Sequence, residues 1–223
     1  MSPLLIFIGF AALVGVLVYF GYLAEKKRRE ALQLVAAKFG FSFSHEKDHG
    51  FARRFDFLNH LDDGSNRYAY NIMSGEVDGR SAHIFDYHYE TYSRDSKGRR
   101  QTNHHYFSIF TLQLPCDFPE LVVKPEGFFS KVGAVLGFDD IDFESVEFSK
   151  RYDVRSSDKK FAYDFCNAQM IDYLLRQQKL IIEVEANVLS LTFKGRLKPE
   201  LIRSRYEQLL QIRSLMPNYL FNH

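Results

Sequence analysis

Five residues in one stretch of the chain have the types and spacing for metal chemistry. Asp86, His88 and Glu90 alternate along the sequence, so an extended backbone places all three on one side. A return strand would bring His104 or His105 opposite them, and turn length decides which. Carboxylate oxygens and imidazole nitrogens together suit a divalent transition metal. The plainer alternative is a solvated outer sheet face, where Asp, His and Glu are ordinary surface residues.

Two basic clusters carry a different chemistry. Lys26, Lys27, Arg28 and Arg29 are consecutive, and Arg94, Lys97, Arg99 and Arg100 crowd a polar turn. Such clusters attract anionic headgroups or an acidic partner. The alternative is that the first cluster only sets topology and the second is a soluble loop. Asp139, Asp140, Asp142 and Glu144 form an acidic run without the spacing or the glycine of an EF-hand, so a solvated turn is the simpler reading. The chain has no GxSxG, Walker A or GxGxxG pattern. Cys116 and Cys166 make no CxxC or zinc spacing and read as free thiols. No cofactor is expected.

What must position these groups begins with the first thirty residues. No charged side chain occurs before Glu25, and Leu4 to Leu23 is an apolar run. A helix of about 20 such residues matches the hydrocarbon core of a bilayer. A cleaved signal peptide would need a basic residue ahead of the run. The four basic residues that follow put the C-terminal side in the cytoplasm by the positive-inside tendency, with the N-terminus outside. The expected location is therefore the cell (inner) membrane, single-pass. Ala11 and Gly15 make one small-xxx-small pair, a weak cue for helix pairing. The expected division is an anchor over 1–24, a juxtamembrane helix over 25–40 and a soluble domain over 41–223.

The 29 basic and 28 acidic side chains balance, which argues against a nucleic-acid binder. With 22 Phe and 13 Tyr, the soluble part has ample material for a core. Leu32, Val35, Ala36 and Phe39 fall on one helical face, and Gly40 stops that helix. Phe41 and Phe43 alternate with serines as a short strand. Arg67 to Val77 reads as another strand, ended by Asp78-Gly79. Next comes a long hairpin: Arg80 to Tyr92, a turn at Asp95 to Gly98, then Arg99 to Leu114. Pro115 and Pro119 are expected to end the return strand. Leu121 to Lys124 reads as a short strand, Gly127 to Leu136 as a helix, and Asp139 to Tyr152 as extended. Ser157 or Asp158 caps a helical stripe that Asn167 divides. Leu180 to Glu185 and Val188 to Phe193 read as a second hairpin about Ala186-Asn187, and Pro199 opens a final helix. Hairpins with interspersed helices give an α+β fold: an N-terminal transmembrane helix, then an antiparallel, hairpin-rich sheet with several packed helices.

The stretch from Glu76 through Leu114, with its short DGR strand and Tyr-Thr hairpin, resembles a family of bacterial membrane-anchored proteins built on a domain of unknown function. The segment EFSKRYDVRSSDKKFAYDF leading into QMIDYLL is similar to the same family's strand-to-helix passage, with Asn167-Ala168 where that family often has Thr-Pro. The resemblance covers about Glu76 to Phe193. It implies the architecture and no activity.

The leading functional reading is a binding or scaffold module on the cytoplasmic face, with the lipid bilayer and a protein as partners. The alternatives are an anionic-lipid surface reader, and a membrane-tethered, metal-assisted enzyme using Asp86, His88 and Glu90 with a facing histidine. The sequence leaves the partner and the oligomeric state open.

Overall fold

The computed structural model describes residues 3–56, 58, 64–126 and 140–221. In chain order the elements are α1 (Pro3–Lys38), β1 (Ser42–Ser44), α2 (His49–Arg53), β2 (Ser65–Val77), β3 (Arg80–Arg94) and β4 (Arg100–Pro125). They continue with α3 (Val146–Arg151), β5 (Tyr152–Ser156), α4 (Lys159–Phe165), α5 (Ala168–Arg176), β6 (Ile181–Lys194) and α6 (Pro199–Leu215), closed by a 3₁₀ turn at Asn218–Phe221. The fold is α+β, with the strands in one antiparallel sheet. The helix expected over Gly127 to Leu136 lies outside the described residues.

β4 organises the sheet. Its first half pairs with β3 and its last five residues pair with β5, while β6 runs along its other edge. β2 pairs with β3, and β1 closes that side. The β2–β3 turn is Asp78-Gly79, with φ of +50° and +72°. That left-handed pair matches the twist of a tight hairpin.

Each face of the sheet has its own core. On one, Leu32 and Ala36 of α1 and Ile202, Tyr206, Leu209 and Ile212 of α6 pack over Met73, Ile84, Phe110, Leu189 and Leu191. On the other, Phe51 and Ala52 of α2, with Phe55 and Leu58 just after it, cover Phe85, Tyr87, Tyr89, Phe107 and Ile109. Ile202, Tyr206, Leu209 and Ile212 recur at helical spacing, and they form the buried stripe of α6. Asn167 caps α5 through its side-chain oxygen, and Asp158 caps α4, which divides the helical region where the sequence placed the break.

The direction of α1 follows from two contacts. The Phe41 N–H donates to Ala36 O at 2.9 Å, and the Phe41 ring lies over Gly75, which pairs with Ala82. Eight residues earlier, Arg28 reaches Asp86 at 3.1 Å. The helix rises about 12 Å over that interval, and β3 rises about 13 Å from Ala82 to Asp86. α1 therefore runs alongside β3 in the opposite sense, and the tip of the β3–β4 hairpin points the way of the α1 N-terminal end.

Four expectations change. Asp139 to Tyr152 is not extended throughout: Ser145 accepts from Phe148 N–H and caps α3, a local side-chain cap that strand-like alternation hid. β4 does not stop at Pro115 or Pro119. Both lie between Leu112, the last partner of β3, and Leu121, the first partner of β5, so on that edge no ladder bond needs their missing N–H. There is no second hairpin: β6 is one strand, with an irregularity where Phe118 faces Ala186. Leu180, Ile182, Val184, Leu189, Leu191 and Phe193 still share one core face. The left-handed Ala186 breaks the alternation once within β6, and a two-residue turn shifts side-chain parity in the same way, so the alternation could not tell them apart. Finally, among the described residues no helix is long and apolar enough to cross a membrane. The side chains of residues 1–6 and 9, part of the apolar run, fall outside the described residues.

Ala186 has a φ of +47°, a left-handed conformation that strains an L residue by about 1–2 kcal/mol. Ala186→Gly is expected to leave stability unchanged or raise it by up to about 1 kcal/mol, and Ala186→Val to lower it, as measured by denaturant unfolding. Equal destabilisation by both would contradict a left-handed backbone at this position.

Candidate functional site

Of the residues singled out for chemistry, Arg28, Asp86, His88, Glu90 and His104 lie on the α1 side of the sheet, in two groups. The first centres on Asp86. Its carboxylate is fully buried and not on a solvated face. The Leu197 N–H donates to Oδ1 at 2.6 Å, the Asn71 amide to Oδ2 at 2.8 Å and the Arg28 guanidinium to Oδ2 at 3.1 Å. Arg28 also donates to Leu197 O at 3.1 Å and to Glu25 Oε1 at 2.9 Å. Arg196 closes the ring by donating to Glu25 Oε2 at 3.0 Å. One carboxylate thus ties α1, β2, β3 and the β6–α6 loop together.

Burial pushes the Asp86 carboxyl above its ordinary value, and the three donors oppose that shift. Burial also disfavours the Arg28 charge, but hydrogen bonds to Glu25 and Asp86 outweigh it, so the guanidinium sits above its ordinary value. These bonds correct two sequence expectations. Asp86 is occupied as a structural anion, apart from the histidines. Arg28 turns into the protein, whereas Lys26, Lys27 and Arg29 stay exposed.

The second group is His88, Glu90 and His104. β3–β4 register pairs Glu90 with His104 and His88 with Tyr106. Their ligand atoms lie within 4.8 Å of one another. His88 Nε2 is 3.1 Å from His104 Nδ1, and Glu90 Oε1 is 3.5 Å from the same nitrogen. His88 is buried, whereas half of the His104 side chain is exposed. Burial lowers the His88 pKa. Hydrogen bonds from Asn66 and Tyr92 hold the Glu90 carboxyl below its usual range. His105 lies on the opposite face, stacked on Tyr89 with centroids 4.6 Å apart and Nε2 at 2.8 Å from Thr91 Oγ1.

Sequence reasoning missed the residues that hold both groups in place. Asn66 and Asn71 take left-handed φ of +50° and +49° at the two register shifts of β2. Each aims a polar group at β3: Asn71 at Asp86, Asn66 at Glu90 and His88. The available signal was asparagine inside a strand pattern, since asparagine tolerates this conformation better than most residues. Glu25, Tyr68, Tyr70, Tyr106 and Arg196 were also missed. With Arg29, His45, Glu46 and Lys47 they line a groove of about 620 Å³ between α1 and the sheet. Tyr68 stacks on His88 at 4.5 Å, and Lys47 sits 4.4 Å over the Tyr68 ring.

At the hairpin tip Arg99 bonds Asp95 at 2.8 Å and Arg100 lies 3.7 Å over the Tyr92 ring, while Arg94 and Lys97 are exposed. In the acidic run, Asp140 accepts from Val154 N–H, and Asp139 lies outside the described residues. Cys116 and Cys166 are free thiols, and burial pushes the Cys166 thiol up.

No family model matches the chain, and no curated protein matches it. Among solved structures it is similar to the crystal structure of the mycobacterial trehalose monomycolate transport factor A, TtfA. The TM-score is 0.54 at 13% identity, over 85% of this chain and 90% of that one. The likeness is one of fold.

Asp86→Asn keeps the shape but turns an N–H toward groups that only donate. It should lower stability by about 3 kcal/mol, and pairing it with Arg28→Met should recover part of the loss in chemical unfolding of the detergent-solubilised chain. A loss below about 1 kcal/mol would be inconsistent with a buried lock.

His83 offers a separate check by pH. Burial, helped by Arg54, lowers its pKa to about 4. A depressed histidine contributes stability that is present above its unfolded value and is lost as pH falls toward the folded one. Acidification from about pH 6.5 to 4 should therefore cost about 2 kcal/mol through this group after screening, and His83→Gln should flatten that slope.

Proposed function

We propose that the protein is a membrane-anchored binding module whose groove beside α1 receives a partner at a fixed distance from the bilayer. One observation carries this reading: the helix that bears the apolar run is the same helix that Arg28 locks into the domain. A flexible tether would leave the groove at any height and orientation. A continuous helix clamped at Asp86 does not.

The anchor itself rests on the charge-free run and on exposure. Phe7, Ile8, Phe10, Leu13, Leu17, Val18 and Phe20 of α1 are all exposed, a contiguous apolar surface that water does not favour. Lys26 to Arg29 follow at once and favour a cytoplasmic domain. The protein of similar fold is named as a trehalose monomycolate transport factor, a name compatible with a binding role.

A second reading has its own support. The hairpin tip points toward the α1 N-terminal end, so Arg94 and Lys97 face the side where headgroups would lie, together with Lys26 and Lys27. Anionic lipid would add about 1 kcal/mol per basic residue near the surface.

One experiment separates these readings. Photo-crosslinkers are placed at Tyr106 in the groove, at Ser96 in the tip and at Tyr163 on α4, in the full chain in its native membranes. A discrete protein adduct at Tyr106, absent at Tyr163, is expected. Lipid adducts at Ser96 support the second reading. Equal yields at Tyr106 and Tyr163, or recovery of the chain in a soluble fraction without detergent, would overturn the proposal.

A further inference from the structure

We propose that His88, Glu90 and His104 bind a divalent transition-metal ion, with Zn²⁺ the best match, in the tip half of the β3–β4 hairpin. The site does not depend on the anchor or on a groove partner.

His88 Nδ1 lies 3.3 Å from the Asn66 carbonyl oxygen. A carbonyl only accepts, so Nδ1 carries the proton and Nε2 keeps its lone pair. That lone pair faces His104 Nδ1 at 3.1 Å. A metal-bound histidine has this arrangement: the far nitrogen donates to a backbone carbonyl, which fixes the tautomer and raises the basicity of the ligating nitrogen.

The spacing fits as well. With Zn–N bonds of about 2.0–2.1 Å, two nitrogens at a tetrahedral angle stand about 3.3 Å apart. The observed separations of 3.1 Å and 3.5 Å fall on either side of that distance. Two imidazoles and a carboxylate leave a fourth position for water, the ligand count of an open zinc site.

The support is built in. Asn66 serves two of the three ligands, its carbonyl to His88 and its amide to Glu90 Oε1 at 2.7 Å. The Tyr92 hydroxyl holds the other Glu90 oxygen at 3.2 Å. Hydrogen bonding of a ligating carboxylate is the usual companion of a metal site. The ligands stand on paired strands and not on a loop, and Tyr68 packs on His88 to fix its plane. Without a metal, the same geometry would be a plain network in which His104 Nδ1–H bridges His88 and Glu90.

The full-length chain, stripped with a chelator in detergent, is titrated with Zn²⁺ against a chromogenic competitor and with Co²⁺ by visible absorption. One equivalent of Zn²⁺ should bind with micromolar or tighter affinity, and Co²⁺ should give the intense bands of a low-symmetry site. His104→Ala, at an exposed position, and Glu90→Gln should each weaken binding about 10-fold or more, whereas His105→Ala should not. Affinity weaker than about 1 mM, or an unchanged affinity in His104→Ala and Glu90→Gln, would overturn the site in favour of the hydrogen-bonded network.

Discussion

A carboxylate removed from water must be met by donors, and Asp86 is met by three from separate parts of the chain. Taking such an ion out of water costs several kcal/mol after relaxation. The arrangement holds only while Arg28 of α1, Asn71 of β2 and the Leu197 N–H keep their places. The rest of this end of the molecule hangs on that condition. Arg28 also contacts Glu25, and Glu25 contacts Arg196, so the lock draws the β6–α6 loop and the root of α1 onto one sheet face. The groove and the histidine cluster stand beside it.

The lock also explains why β2 is irregular. A regular β2 would present alternating side chains to β3 and would leave no donor aimed at Asp86. Two register shifts, each with a left-handed asparagine, turn polar groups sideways into the site. Strain of this kind persists where surrounding contacts over-determine it. Here one asparagine satisfies the structural anion and the other braces the candidate metal ligands. Local distortion and site geometry are therefore one feature.

The similarity to TtfA extends to the fold over most of both chains and leaves this chain's own site to be argued from its residues. Within this chain's own architecture the direction of α1 matters most. The helix runs against β3 toward the hairpin tip, so the apolar run, the exposed lysines, the groove and the basic tip lie toward one end.

Periodicity determined a good deal by itself. The helical stripe of α6, a cap at Ser157 or Asp158, the break at Asn167, the Asp78-Gly79 turn and the alternation of β3 follow from short-range rules that side chains obey wherever they are. It also put His88 and Glu90 on one side of β3 and narrowed the residue opposite them to His104 or His105, because register across a hairpin is nearly local. Only the tertiary structure decided that Asp86 is buried and separate from that cluster, and that His105 faces away. It alone joined the two halves of β6 and carried β4 past its prolines. In each case the deciding partner is distant in sequence: Arg28 for Asp86, and β4 for the irregularity at Ala186. Alternation gives a side chain its face, but burial and pairing depend on what the rest of the chain lays over that face.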